Sequence, residues 1–302
     1  MVTVINRTGA VDQLPAGARP ARYTRLASVM WTVGTRSLAR LALRRYRRRR
    51  ADRVRLEYDG GTWAAVLDQR AWERAGSLDD YLIGHDHRTI VARIQGKPYE
   101  VTRCEYNRWR LRRLQELVHS FSADSEDLVE LGCGFGYNIL SLASAGSGLN
   151  LRGYDISENG VAAARATAAH FGIGGMTFGL IDLTDPTHPS FREIEGKTVL
   201  TFFCLEQIPY DLDLAVRNIL AARPLRVINV EAATGARRPA GGMDLLNDLY
   251  VRSQDYQTTL ARSLKALESS GDLRIVEQKS LGFGPTIHQE AFLFVWEPTH
   301  PR

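Results

Sequence analysis

Four residues carry the first chemistry of this chain. In Asp127-Leu-Val-Glu-Leu-Gly-Cys-Gly-Phe-Gly-Tyr-Asn138 an apolar run reaches an acid, Glu130, and then breaks into the alternate glycines Gly132, Gly134 and Gly136. Glycine has no Cβ, so a ligand can lie directly on the backbone there, close to the start of a helix whose free amides favour negative charge. The carboxylate just ahead of the glycines suits a ligand with a cationic end. Asp155 closes a second apolar run, Asn150-Leu-Arg-Gly-Tyr-Asp155. It lies about twenty residues past the glycines, where an acid can accept from both hydroxyls of a ribose. Asp182 closes a third run, Met176-Thr-Phe-Gly-Leu-Ile-Asp182. A nucleotide-type ligand is implied.

These groups need a scaffold, and the hydrophobic period supplies one. Residues 127–131 read as a buried strand, the glycines as a tight turn and 139–145 as a helix. Ser157 is the expected N-cap of the next helix. Val161, Ala164, Ala168 and Phe171 then recur at helical spacing until Gly172 stops it. The apolar stretches 198–204 and 225–231 give two more strands. Strands alternating with helices predict a parallel sheet covered on both faces. Residues 273–280 and 291–297 are joined only by a loop containing Gly282-Phe-Gly-Pro285, so that last pair should be antiparallel.

The order of these features resembles the class I methyltransferases that use S-adenosylmethionine. Glu130-Leu-Gly-Cys-Gly-Phe-Gly136 is similar to their first motif, whereas a dinucleotide fingerprint would place its third glycine where Tyr137 stands. The resemblance covers about 105–297. It implies an α/β fold with a doubly wound, mostly parallel seven-stranded sheet, an antiparallel C-terminal hairpin and an N-terminal α/β extension. S-adenosyl-L-methionine is the cofactor it implies. The residues matching the family's cofactor site are Glu130, Gly132, Cys133, Gly134, Asp155, Ile156, Asp182, Leu183 and Cys204. In the family, the position of Asp182 accepts from the adenine amino group. An aromatic or arginine from the helix at 105–121 commonly reaches the methionine carboxylate, and Tyr106 and Arg110 are the candidates.

Methyl transfer asks for alignment of a nucleophile and, for an oxygen acceptor, removal of its proton. The loops that would supply such groups contain Glu206, Gln207, Glu231, His288, Tyr99, His85 and His87. Glu206 and His288 are the catalytic candidates. His85 and His87 have metal-like spacing but no third ligand, so no metal is expected. Cys204-Leu-Glu-Gln207 replaces the Asn-Pro-Pro-Tyr type motif of nitrogen-directed DNA methyltransferases, and the paired-glutamate loop of protein arginine methyltransferases is missing. A small-molecule acceptor, methylated on O or N and belonging to biosynthesis of specialised metabolites, is the expectation. RNA or protein methylation and an inactive cofactor-binding scaffold are the alternatives.

At 302 residues with 44% hydrophobic content, the chain suffices for one large domain and an addition. We expect 1–103 to be an N-terminal extension and lid with a mobile start. The cofactor-binding domain, 104–302, should carry a helical insertion at 232–270 that forms either a substrate pocket or a homodimer contact. A hairpin is expected over 54–66, around Asp59-Gly-Gly61, and a helix over 68–75. The net charge of +5 is concentrated in Arg36, Arg40, Arg44, Arg45 and Arg47 to Arg50. Residues 36–53 could therefore meet a nucleic acid, an anionic membrane surface or an acidic partner, or remain a solvated basic helix. Three cysteines without paired spacing, no run able to span a membrane and no signal-peptide core point to a cytoplasmic protein.

Overall fold

The computed structural model describes residues 13–43, 54–232 and 241–299. Most of the arginine run and the Gly/Arg/Pro-rich stretch before 241 therefore lie outside the described residues. The N-terminal part begins with β1 (Arg19–Pro20) and the helix α1 (Tyr23–Ala42), and continues from a π-helix (Arg55–Trp63) straight into α2 (Ala64–Gln69). The short helix α3 (Leu78–Ile83) and the hairpin of β2 (Thr89–Ile94) and β3 (Lys97–Thr102) complete it. The three strands form an antiparallel sheet in the order β1-β3-β2. Gln95 and Gly96, both at positive φ (51° and 74°), make the two-residue turn whose twist matches that of the flanking strands.

Two local expectations fail here. The hairpin predicted over 54–66 is helical, because Asp59 and Trp63 must both face the core domain and positions four apart share one helix face. The helix predicted over 68–75 breaks at Arg70, whose φ of 44° no right-handed helix continues, and the remainder is a 3-10 turn at Ala71–Arg74.

The core domain follows the expected alternation. Its elements are α4 (Arg103–Phe121), β4 (Asp127–Leu131), α5 (Tyr137–Ser144), β5 (Asn150–Asp155), α6 (Glu158–His170), β6 (Thr177–Leu180) and β7 (Thr198–Phe202). Then come α7 (Leu212–Ala221), β8 (Arg226–Ala232), α8 (Gly242–Gln254), α9 (Leu260–Ser269), β9 (Leu273–Ser280) and β10 (Ala291–Pro298). The seven strands run β6-β5-β4-β7-β8-β10-β9, parallel except for β10, which is antiparallel to both β8 and β9. That mixed α/β sheet is the one the resemblance implies.

Alternation along the strands builds two cores. Leu128, Leu200, Ile228 and Val295 face α4, α5 and α6, where Leu114, Val118, Ile139 and Ala164 meet them. Val129, Val199, Val227 and Phe294 face the other way, onto Val216 and Ile219 of α7 and Leu264 of α9. Helix α6 is capped as expected, with Ser157 Oγ accepting from the Gly160 amide at 3.0 Å. In the insertion Leu246 is buried and Leu245 is exposed. Among the described residues no helix is long and apolar enough to cross a membrane.

Candidate functional site

The carboxyl ends of β4, β5, β6 and β7 meet along one edge of the sheet. At the end of β4 the chain turns at Gly132 (φ 76°), and its amide and that of Cys133 donate to the Tyr154 carbonyl at 2.7 and 3.0 Å. A Cβ on Gly132 would sit 2.2 Å from Cys204 Sγ, and one on Gly134 would sit 2.8 Å from the Trp63 ring. The bare backbone is therefore used at both positions. Asp155 ties the turn to the next strand. Its Oδ2 accepts from the Gly134 amide at 2.7 Å and its Oδ1 from the Ser157 amide at 2.9 Å. Burial pushes the Asp155 carboxyl up, and these amides oppose that shift. The Ile156 amide also reaches this carboxylate, so of its roughly four lone-pair sites about one remains to accept a hydroxyl.

Above this turn lies a cleft of about 510 Å³, within the usual range of ligand pockets. Gly132, Asp155, Ile156, Asp182, Leu183 and Cys204 all line it. Asp182 Oδ1 accepts from the amide and hydroxyl of Thr184 at 2.9 and 2.7 Å, which fixes the side chain at the rim. Phe203, also in the lining, has φ 54°. This is a strained position for an aromatic residue, and such strain gathers at functional edges.

The sequence did not assign the other wall. Tyr58, Asp59 and Trp63 of the π-helix line the cleft from the N-terminal side, and Tyr210 and Asp211 from the far side. Asp59 Oδ1 accepts from the Ser157 hydroxyl at 2.6 Å and from the Asn159 amide at 3.1 Å, so it sits on the N-terminus of α6. Trp63 packs between Tyr58 and Phe135, with ring centroids 5.6 and 5.1 Å away. The five-residue spacing of Tyr58 and Trp63, one turn of a π-helix, was the available clue.

Beneath the turn is a buried polar chain. Arg110 lies over the Tyr137 and Phe202 rings at 4.7 and 5.0 Å and donates to Asn138 Oδ1 at 3.1 Å. Asn138 in turn donates to Glu130 Oε1 at 2.8 Å. Glu130 Oε2 and the Tyr106 hydroxyl are fully buried with no hydrogen-bond partner among the described residues. Burial pushes the Glu130 carboxyl up to about 7, with Asn138 and Arg110 pulling back and the Asp155 charge adding to the rise. Burial likewise drives the Tyr106 phenol and the Cys133 and Cys204 thiols upward. None of Tyr106, Arg110, Glu130, Cys133 or Gly134 lines the cleft itself.

Neither Glu206 nor His288 lines the cleft, although Gln207 beside Glu206 does. Glu206 is buried, its amide donates to Glu231 Oε2 at 3.3 Å, and its Oε1 accepts from Gln207 at 3.0 Å. Glu231 also accepts from Thr201 Oγ1 at 2.6 Å, and burial lifts its carboxyl to about 7. The Glu206 carbonyl accepts from the Gln257 amide at 3.1 Å. His288 is buried edge-on to Tyr250 (4.4 Å), which in turn meets Tyr256 (6.2 Å). Burial lowers the His288 imidazole to about 4. Its Nδ1 has no hydrogen-bond partner among the described residues. His87 instead meets Cys104 Sγ at 3.4 Å and His85 pairs with Asp80 at 3.0 Å. Among the described residues no cluster of three or more His, Cys, Asp or Glu side chains could hold a metal.

No family model and no curated protein matches this chain. Solved structures are similar to it at low identity. Magnesium protoporphyrin IX methyltransferase (ChlM) from Synechocystis PCC 6803, with bound SAH, is 18% identical over 62% of this chain and 82% of its own, with a TM-score of 0.46. The mitomycin 7-O-methyltransferase MmcR is 18% identical over 65% of this chain and 56% of its own, with a TM-score of 0.47. The [4+2]-cyclase SpnF is 17% identical over 62% and 82%, with a TM-score of 0.45. A fold does not by itself set an activity, so activity has to be argued from the site.

Proposed function

We propose that this chain is a class I S-adenosylmethionine-dependent methyltransferase acting on an oxygen or nitrogen of a small-molecule acceptor. The observation that carries the proposal is the convergence of Gly132, Asp155 and Asp182 on one cleft at the carboxyl edge of a doubly wound sheet. The residues present fit the cofactor on three counts. The glycine turn offers backbone that a Cβ would block. Asp155, at the cleft wall, keeps acceptor capacity for a ribose hydroxyl. Glu130 Oε2, buried beneath the turn and without a partner among the described residues, offers negative charge from behind the cleft wall to the ammonium of an amino-acid end, as Arg110 offers positive charge to its carboxylate.

In this reading Ile156 and Leu183 flank the adenine and Asp182 accepts from its amino group. The π-helix closes the cofactor side, with Trp63 seated on the glycine turn and Tyr58 and Asp59 at the rim. S-adenosyl-L-methionine, when bound, supplies a methyl group on a good leaving group, so this chain has chiefly to orient the acceptor and take its proton. Glu206 and His288 are the residues proposed for these tasks. Burial that lowers the His288 imidazole to about 4 keeps it neutral and makes it a weak base, so its part is to accept a hydrogen bond from the acceptor rather than to hold its proton. Glu206 is held by Glu231 and Gln207 and positions the acceptor.

Calorimetry with S-adenosylmethionine and with a nicotinamide coenzyme tests the reading. Binding of the first, sharply weakened by Asp155→Ala, is expected. Uptake of the nicotinamide coenzyme alone, or full affinity in the Asp155 variant, would remove it. For Glu206→Gln, turnover should fall more than cofactor affinity does.

A further inference from the structure

The carboxyl edge of the sheet extends past the cofactor cleft. Ala291 at the start of β10 pairs with Ala232 at the end of β8, so the loop before β10 stands on the same edge as the ends of β7 and β8. In a doubly wound sheet that edge is where ligands bind. Gly132, Asp155 and Asp182 occupy the half over β4, β5 and β6. The half over β7, β8 and β10 is left for a second ligand.

Two buried polar groups on this second half have open hydrogen-bonding atoms. Gln257 is 1% exposed, and its backbone amide is bonded to the Glu206 carbonyl just after β7. Its Oε1 accepts from the Thr259 and Leu260 amides, each at 3.0 Å, and so caps α9. That fixes the planar side-chain amide, whose Nε2 carries two donor hydrogens. Nε2 has no hydrogen-bond partner among the described residues. Nor has Nδ1 of His288, which is 8% exposed in the loop before β10. When His288 gives its Nε2 hydrogen to Thr286 Oγ1 at 3.3 Å, Nδ1 is left as an acceptor. A buried hydrogen bond left unmade costs about 1–3 kcal/mol. Two of them on the ligand-binding edge point to a ligand that makes both.

A wall of rings joins the two groups. Tyr256, next to Gln257, meets Tyr250 with centroids 6.2 Å apart, and Tyr250 meets His288 at 4.4 Å. Both tyrosines are half-buried. The wall is tied to the cofactor cleft, for Tyr210 lines the cleft and its hydroxyl donates to Asp255 Oδ2 at 2.7 Å. On the other flank the Glu290 amide donates to Asn247 Oδ1 at 3.0 Å, three residues before Tyr250 on α8.

We infer that Gln257 and His288 hold the methyl acceptor at two points. Gln257 Nε2 donates to a carbonyl oxygen, His288 Nδ1 accepts from a hydroxyl, and the molecule lies against Tyr250 and Tyr256. This rests on the methyl-transfer reading and gives its acceptor a class, a planar aromatic carrying one hydroxyl and one carbonyl. Flat rings suit a tyrosine wall. The second oxygen belongs to a neutral carbonyl and not to a carboxylate, because Glu206 and Glu231 are already buried at this edge and a further acid would be repelled.

Fluorescence titration of the protein saturated with S-adenosylhomocysteine tests the site. The probes are 6-acetyl-2-naphthol, 2-naphthol, which lacks the carbonyl, and 2-acetylnaphthalene, which lacks the hydroxyl. The first should bind roughly tenfold or more tightly than either of the others. Gln257→Glu keeps an oxygen for the α9 cap and removes the donor. It should erase the preference over 2-naphthol and keep the preference over 2-acetylnaphthalene, and His288→Phe should do the reverse. Uptake of S-adenosylhomocysteine shows that each variant is folded, and Gln257→Met repeats the test if the Glu variant fails that check. A wild type that takes up no S-adenosylhomocysteine removes the cofactor reading and this inference with it. Cofactor uptake without binding of 6-acetyl-2-naphthol overturns the two-point site alone. So do variants that leave the preferences unchanged, or that weaken all three probes equally, since packing would then be the only role of these side chains.

Discussion

At the scale of single residues, the glycine turn makes the sharpest demand. Gly132 has φ 76° and its missing Cβ would lie 2.2 Å from Cys204 Sγ. Gly132→Ala therefore meets two penalties, backbone strain of about 1–2 kcal/mol and a contact that no real Cβ tolerates. Calorimetry should show cofactor affinity falling by more than roughly tenfold, with only partial recovery when Cys204→Gly removes the contact and leaves the strain. Full recovery would mean that strain plays no part.

Glu130 gives a prediction in pH. Its carboxyl stands at about 7 when no ligand is present. A bound ammonium favours the ionised form, so cofactor binding should release a proton below pH 7. Affinity should rise with pH and level off above about 7. The stability of the unliganded protein runs the other way. A carboxyl raised from 4.5 to about 7 favours the folded state fully below 4.5 and loses that advantage as pH climbs through 7. Glu231, also at about 7, adds to the same slope. Glu130→Gln should flatten the affinity profile and remove only part of the stability slope. An affinity that ignores pH between 5 and 8 in the wild type would separate Glu130 from the ligand. These acids were legible in the sequence because each ends an apolar strand. Asp59 was not, since nothing in a local pattern shows which distant helix an acid will cap.

At the scale of elements, the π-helix is the part the sequence hid. Asp59-Gly-Gly61 between alternating apolar residues is a strong hairpin pattern, and yet the segment is helical. The contacts that decide it are tertiary: Asp59 on the N-terminus of α6 and Trp63 on Phe135. The core strands were legible for the opposite reason. The runs of β4, β7 and β8 are buried along nearly their whole length, so an unbroken apolar stretch marks them whatever their neighbours are. The π-helix is held to α6 by few bonds, and that has a consequence. Asp59→Ala should cost about 1 kcal/mol through lost capping, and limited proteolysis should then cut within 55–63 faster than in the wild type. Added S-adenosylmethionine should slow that cleavage if the segment closes over the cofactor. Protection that is the same with and without the ligand would assign the segment a structural role only.

At the scale of the whole molecule, the N-terminal sheet is joined to the C-terminal half through one buried cation. Arg93 of β2 forms ion pairs with Asp244 of α8 and, at 2.9 Å, with Glu290 beside β10. Its backbone exchanges bonds with Gly284 at 3.1 and 3.0 Å. Arg93 and Asp244 lie 151 residues apart, too far for any local pattern to reveal. A pair this deep is a poor source of net stability, but removing its cation alone strands two buried carboxylates. Arg93→Met should therefore lower stability by about 3–5 kcal/mol, read as a shifted urea midpoint. Replacing all three by apolar residues should recover much of the loss, because no charge is left buried. If instead Arg93→Met unfolds in two steps, the early one confined to residues 13–102, the two halves fold independently and the cluster is a late contact. A single transition at a lower midpoint is the expected result, since β2, α8 and the loop before β10 share one buried charge network.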